Sequence, residues 1–98
     1  MAYSLSWSPT ARFDLGNLSA HIADDNPVAA RSFVQSIMRT VDRLSAFPES
    51  GRVVPEFNDP MIREVIRKPC RIVYRIKTGE ELIEIARVWH AARGIPQL

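Results

Sequence analysis

Cysteine occurs once, at Cys70, and lysine only twice, at Lys68 and Lys77, in a chain of 98 residues without a long apolar run. Each scarcity excludes something. A single cysteine rules out a disulfide framework and a zinc site of the usual kind. Between Pro69 and Arg71, Cys70 reads as a small packing residue rather than a nucleophile. No segment approaches the length of a membrane-spanning helix. The opening Met1-Ala2-Tyr3-Ser4 lacks the basic region of a signal peptide. The expectation is a cytoplasmic protein with no membrane association, no metal and no cofactor. A net charge of +2 is too small to imply nucleic-acid binding by itself.

What remains is an ordinary globular composition, 46% hydrophobic and 24% charged, which fits one domain over 1–98 with a modest core. The charge is unevenly made. Before residue 49, four Arg balance four Asp; from Glu49 onward seven Arg and two Lys face six Glu and Asp59. Arginine in place of lysine suits two-pronged contacts to carboxylate or phosphate. The same pattern also describes a charged sheet laced with local ion pairs.

Arg71 to Arg93 organises the rest. Ile72, Tyr74 and Ile76 alternate with Arg71, Val73, Arg75 and Lys77, the period of a strand. Thr78-Gly79-Glu80 is a short loop, with Gly79 placed for positive φ. Leu82 to His90 is the returning strand. Val88 falls out of phase with Ile83 and Ile85, so a bulge near Arg87 is expected.

Taken in order, Ala2 to Trp7 alternates as a short strand. Ser8-Pro9 caps a helix carrying Ala11, Leu15, Leu18 and Ile22 on one stripe. His21 lies beside that stripe as a surface histidine. Asp24-Asp25-Asn26-Pro27 breaks the helix and starts a second one, whose wide apolar face runs from Ala30 to Leu44. So short a break makes an antiparallel helical hairpin. Phe47-Pro48 ends it. Glu49 to Pro60 reads as an irregular connection of the kind that often carries function. Met61 to Arg67 is a strand, with Ile62 and Ile66 on one face and Arg63 and Arg67 on the other.

The order predicts an α+β fold, β-α-α-β-β-β. A four-stranded antiparallel sheet has the hairpin on one face, since neither layer buries its apolar side alone. The other face is expected to stay open and to gather Arg63, Arg67, Arg71, Arg75 and Lys77, with His90 at one end. Val34, Met38 and Val41 make more apolar surface than one sheet face covers, so a partner is expected in a groove there or at the edge of the sheet.

The element order resembles the RelE/ParE superfamily of toxins from type II toxin–antitoxin (plasmid stabilisation) systems. Five motifs carry the resemblance across the chain: DNP-x-AA from Asp25, L-x-x-FP-x-x-GR from Leu44, Arg63-Glu64, RIVYRI from Arg71, and I-x-I-x-x-V-x-H-x-x-R from Ile83 to Arg93. It implies a first strand lying beside the last. It also implies a cognate antitoxin that wraps an extended or helical tail around the toxin in a hetero-oligomer. Val34, Met38 and Val41 would then be antitoxin-binding. ParE-type members act on DNA gyrase, and RelE-type members cleave messenger RNA in the ribosome. The ending Val88-Trp89-His90-Ala91-Ala92-Arg93 looks more like the ParE type. On that reading Arg63, Arg67, Arg71, Arg75 and Arg93 are the target-binding residues.

The ribonuclease alternative names Glu56 as base, Arg71 as phosphate ligand and His90 near the acid position. The match departs at His90, which comes one residue late and is followed by Ala91 rather than Tyr. These departures weigh against RNA cleavage. Plain alternatives stand beside each role. Glu56 pairs with Arg52 or caps a turn, Arg71 pairs with Glu64 or Glu84 across strands, and His90 is a satisfied histidine at a sheet edge. Trp89 is core rather than a stacking platform. A third reading is a homologue that binds its antitoxin without toxicity.

Overall fold

The computed structural model describes residues 2–98. The elements are β1 (Ser4–Trp7), α1 (Pro9–Asp25), α2 (Pro27–Ala46), β2 (Arg52–Val53), β3 (Ile62–Arg67), β4 (Cys70–Lys77) and β5 (Leu82–His90). Single 3-10 turns follow β4 and β5, at Thr78–Glu80 and Ala91–Arg93.

Both helix starts follow from their caps. The Ser8 side chain accepts from the Ala11 amide and the Asn26 side chain from the Ala29 amide, each with proline at the first helical position. Asn26 ends one helix and caps the next, which leaves no room for anything but a tight hairpin.

The sheet has five strands in the order β1-β5-β4-β3-β2, and it is mixed. This corrects the four-stranded antiparallel expectation in two ways. The first strand does lie beside the last, but β1 runs parallel to β5, with Ser4 opposite Leu82 and Trp7 opposite Ile85. Alternation reveals which residues share a face, not which way a strand runs. The parallel direction brings α1 to the half of β5 that β1 leaves unpaired. There Ser8 Oγ donates to the Ala86 carbonyl, and Asp14 Oδ2 accepts from the Val88 amide. A helix end and a carboxylate thus satisfy backbone groups that another strand would otherwise take. The second correction is β2, two residues inside the stretch expected to be irregular. Arg52 pairs with Glu64 and Val53 with Arg63. So short a strand leaves no periodicity to read.

The bulge falls where the phase slip required it. Val73 faces Arg87 while Tyr74 faces Ile85, so Ala86 is the extra residue in β5. Beyond it, Val88 returns to the face of Ile83 and Ile85, opposite Ile72. The β4–β5 reversal differs in detail. Its left-handed residue is Glu81, at φ 48°, and not Gly79, because the 3-10 turn carries the reversal further and closes with the Glu81 amide on the Thr78 carbonyl.

The core lies between the helices and the sheet. Ala11, Ile37, Val41 and Leu44 pack against Ile72, Tyr74, Ile76, Ile83 and Ile85. The far face of the sheet is not bare. Val73, Trp89, Val54 and Pro96 are also buried. The chain after β5 folds back over this face, and the Gly94 carbonyl accepts from the Trp89 indole N–H.

Candidate functional site

The alternation of β4 sends Arg71 to the far face, where the pairing with β3 and β5 sets it beside Ile66 and Trp89. All three of its guanidinium nitrogens donate to carboxylates. Nε donates to Glu64 Oε1 at 2.5 Å, Nη2 to Glu56 Oε1 at 2.7 Å and Nη1 to Glu56 Oε2 at 3.1 Å. Arg52 completes the row through a 2.7 Å bond to Glu64 Oε2. Glu64 is 1% exposed and Arg71 8%. A carboxylate so deep persists because two guanidinium groups hold it. Glu56 is the more exposed of the two carboxylates. The bond from Arg71, with one from its own backbone, holds its carboxyl below the usual range. Glu56 first, then Glu64, push Arg71 further up, so it is charged at any pH the fold meets.

The open arginine face is therefore corrected. Arg63 and Arg67 stand opposite Tyr74 and Cys70, on the helix side of the sheet. Their alternation with Ile62 and Ile66 was read rightly, but the isoleucines, not the arginines, share the face of Arg71. Arg63 staples the long connection by donating to the carbonyls of Pro60, Glu49 and Gly51. Arg67 reaches across to Ser36 on α2, at 2.6 Å. Arg75 stays on the far face, bonded to Glu84 at 3.0 Å and half-exposed. Arg93 is exposed and lies 4.0 Å from the centre of the buried Trp89 ring, with Arg87 at 4.7 Å.

Glu56 and Arg71 are brought together, but as a closed pair with no space for a phosphate between them. His90 sits opposite Cys70, out of phase with Arg71 along the strands, and its Nδ1 accepts from the Ala92 amide, though the His90 and Arg71 side chains border one depression of about 440 Å³. Burial pushes the Cys70 thiol up, in keeping with a packing role.

The three α2 residues also divide. Val41 is fully buried in the core and is unavailable to a partner in this fold. Val34 is half-buried and Met38 39% exposed. The expectation overlooked that Val41 points straight at the sheet, while the larger exposed apolar side chain is Phe47, 64% exposed at the helix end. Phe47 borders a depression of about 520 Å³ shared with Tyr3, Pro48, Ile76 and Thr78, and a second of about 320 Å³ shared with Thr40, Arg43 and Val65. The Phe47-Pro48 pair was read only as a helix stop, although an aromatic at that place has no core position to occupy.

Asp14 was missed altogether. It is buried, binds Arg87 through both oxygens at 2.8 and 2.9 Å, and raises the guanidinium's pKa. Its only sequence signal is a charge beside the apolar stripe of α1. Among the described residues no group of three or more His, Cys, Asp or Glu is placed to hold a metal ion, and no helix is long and apolar enough to cross a membrane.

The chain matches a family model described as the ParE toxin of the type II toxin–antitoxin system, parDE, over residues 5–95. It is 31% identical to a protein of Sinorhizobium fredii (strain NBRC 101917 / NGR234) named "Putative toxin Y4kP", over 96% of this chain and 94% of that one. Its fold superposes on a structure of the chromosomal ParDE toxin–antitoxin system from P. aeruginosa with a TM-score of 0.72 and 27% identity, covering 91% of this chain and 96% of that chain. The RelBE2 toxin–antitoxin complex from Mycobacterium tuberculosis shares the fold, with a TM-score of 0.66 at 22% identity, covering 92% and 99%. Together with the element order and the mixed sheet, the match over nearly the full length decides the matter: this chain belongs to the ParE toxin family of type II toxin–antitoxin systems.

Proposed function

We propose that this toxin acts by binding DNA gyrase and is held inactive in a hetero-oligomer with a cognate antitoxin. One observation carries the choice of target. The residues that RNA cleavage would need are committed elsewhere: Glu56 binds Arg71 through both of its oxygens, and His90, which borders one depression with Arg71, holds the Ala92 amide through Nδ1. A base bonded through both oxygens to the phosphate ligand is in no position to take a proton from a ribose hydroxyl. A toxin that works by occupying a protein surface has no such requirement.

The surface available for that contact is narrower than a row of arginines. Arg93, Arg75 and Arg67 are the target-binding candidates that reach solvent, while Arg63 and Arg71 hold the fold. Val34 and Met38, continued by Phe47 at the end of α2, are the apolar surface left for the antitoxin.

The test is paired. Purified protein is added to a gyrase supercoiling reaction, and messenger RNA is mapped by primer extension after induction in translating cells. Inhibited supercoiling with intact transcripts is the expected result. Cleavage within ribosome-bound codons that disappears in Glu56→Ala, with supercoiling untouched, overturns the reading in favour of ribosome-dependent RNA cleavage.

A further inference from the structure

Of the arginines from Glu49 onward, Arg52, Arg63, Arg67, Arg71, Arg75 and Arg87 all have their guanidinium groups hydrogen-bonded within the chain. Arg93 is the exception among the described residues. It is exposed, and no carboxylate meets it, yet it is not loose. Its guanidinium carbon lies 4.0 Å from the centre of the Trp89 ring. That ring is itself fixed, being buried and donating its indole N–H to the Gly94 carbonyl. Arg87, held by both oxygens of Asp14, lies 4.7 Å from the same ring centre. A guanidinium stacked on a fixed ring has given up part of its rotamer freedom in advance and keeps its N–H groups for a partner.

Arg93 borders a depression of about 340 Å³ between α1 and the end of β5. Phe13 and Val88 give it apolar walls, and Asn17 and His90 add polar groups. The one carboxylate in its lining, Asp14, is engaged by Arg87 and the Val88 amide. His90 Nδ1 accepts from the Ala92 amide, so the other ring nitrogen is the one that carries a proton. The lining therefore offers donors and no free anion. Phe13 is 72% exposed and lies off the apolar stripe that packs α1 on the sheet. A large exposed aromatic beside an unpaired arginine has the composition of a protein interface.

We propose that the depression between Phe13 and Arg93 is the toxin's contact with its protein target, and that it takes one carboxylate side chain flanked by an apolar residue. The target rests on the gyrase reading above; the chemistry of the contact rests on a fixed, unpaired guanidinium beside an apolar wall. One free cation matches one carboxylate, which a planar guanidinium binds through two parallel N–H bonds. A doubly charged phosphate would bring a second negative charge with no cation to meet it, into a depression that Asp14 already lines.

Two measurements test this. In the first, purified DNA gyrase holoenzyme is titrated with the whole toxin and its variants, and binding is read beside inhibition of supercoiling. Arg93→Glu should weaken binding about tenfold or more and Phe13→Ala about fivefold, the losses expected of interface anchors. Arg93→Lys keeps the charge without the fork and should bind less well than the parent. Arg31→Glu, at an exposed position on α2, makes the same change in net charge and should bind as the parent does. In the second, acetyl-Leu-Glu-Leu amide is added at millimolar concentration to the isotope-labelled whole protein. Amide shifts at Phe13, Asn17 and Ala91–Arg93 are expected, and acetyl-Leu-Gln-Leu amide should leave them unmoved. Equal shifts from the two peptides, or none from either, overturn the carboxylate site. Gyrase binding unchanged in both Arg93→Glu and Phe13→Ala, or lost equally in Arg31→Glu, overturns the contact and leaves the gyrase reading intact. A parent protein that does not bind gyrase overturns that reading and the contact with it, while the peptide pair still decides what the depression accepts.

Discussion

The hydroxyl of Tyr74 is clamped between two points of the long connection, donating to the Pro48 carbonyl at 2.7 Å and accepting from the Gly51 amide at 3.0 Å. A core tyrosine thus ends in the backbone of a loop and fixes where that loop meets the sheet. Tyr74→Phe keeps the ring and strands both backbone groups, at a cost of about 1–3 kcal/mol in urea unfolding. Gly51→Ala attacks the same joint from the other side. A Cβ there would stand 2.6 Å from the Glu64 carbonyl oxygen and 2.6 Å from the Tyr74 hydroxyl. Since the first belongs to β3 and cannot swing away, this variant should lose at least as much. Equal stability of both variants and the parent would show that the loop is not anchored there.

Asp14 joins α1 to the unpaired half of β5 through Arg87 and the Val88 amide. Asp14→Ala leaves a guanidinium and a strand N–H without their acceptor, and should destabilise the fold by about 3 kcal/mol. Asp14→Asn retains an oxygen for the amide but no charge for Arg87, and should fall between parent and alanine variant. Thermal unfolding of the three proteins gives the order directly.

Glu56 gives the fold a pH dependence of known sign. Arg71 lowers its carboxyl below the ordinary 4.5, so the folded protein binds a proton there less readily than the unfolded chain. The stabilisation is complete above that ordinary value and is lost as the pH falls below it, through the folded-state value. Because the side chain is partly exposed, the effect is modest. Glu56→Gln should lower stability at pH 7 and leave the gap to the parent constant down to about 4.5, the ordinary value, below which the gap closes. A gap that widens in acid would mean that Glu56 is not the carboxylate Arg71 stabilises.

Much of the fold was legible because the local signals agree. Ser8-Pro9 and Asn26-Pro27 mark both helix starts, and the out-of-phase Val88 marks the bulge at Ala86. What periodicity does not carry is direction and depth. It left β1 free to run either way, and it hid a strand of two residues between Ser50 and Pro55. The site was harder. Arg71 and Arg75 were placed rightly along their strand. Whether a guanidinium faces solvent or a buried carboxylate depends on what covers the sheet, and the covering pieces are the irregular 54–60 stretch and the chain after His90. Arg63 and Arg67 were assigned to the wrong face because the pairing of β3 against β4, not the alternation within β3, decides which side points at the helices.

The order β1-β5-β4-β3-β2 also governs when the molecule becomes itself. The first strand finds its neighbour 78 residues further along the chain, the same separation that Ser8 crosses to reach Ala86. A ribosome that has released residues only as far as β4 has supplied both helices and three of the strands after β1 but left β1 without its partner. Closure waits for β5, the strand that touches both β1 and β4, and contacts so distant in sequence form slowly. Synthesis that stops short of Leu82 yields a polypeptide lacking the strand that joins β1 to β4, so a shortened copy of this ParE-family chain cannot complete the family's sheet.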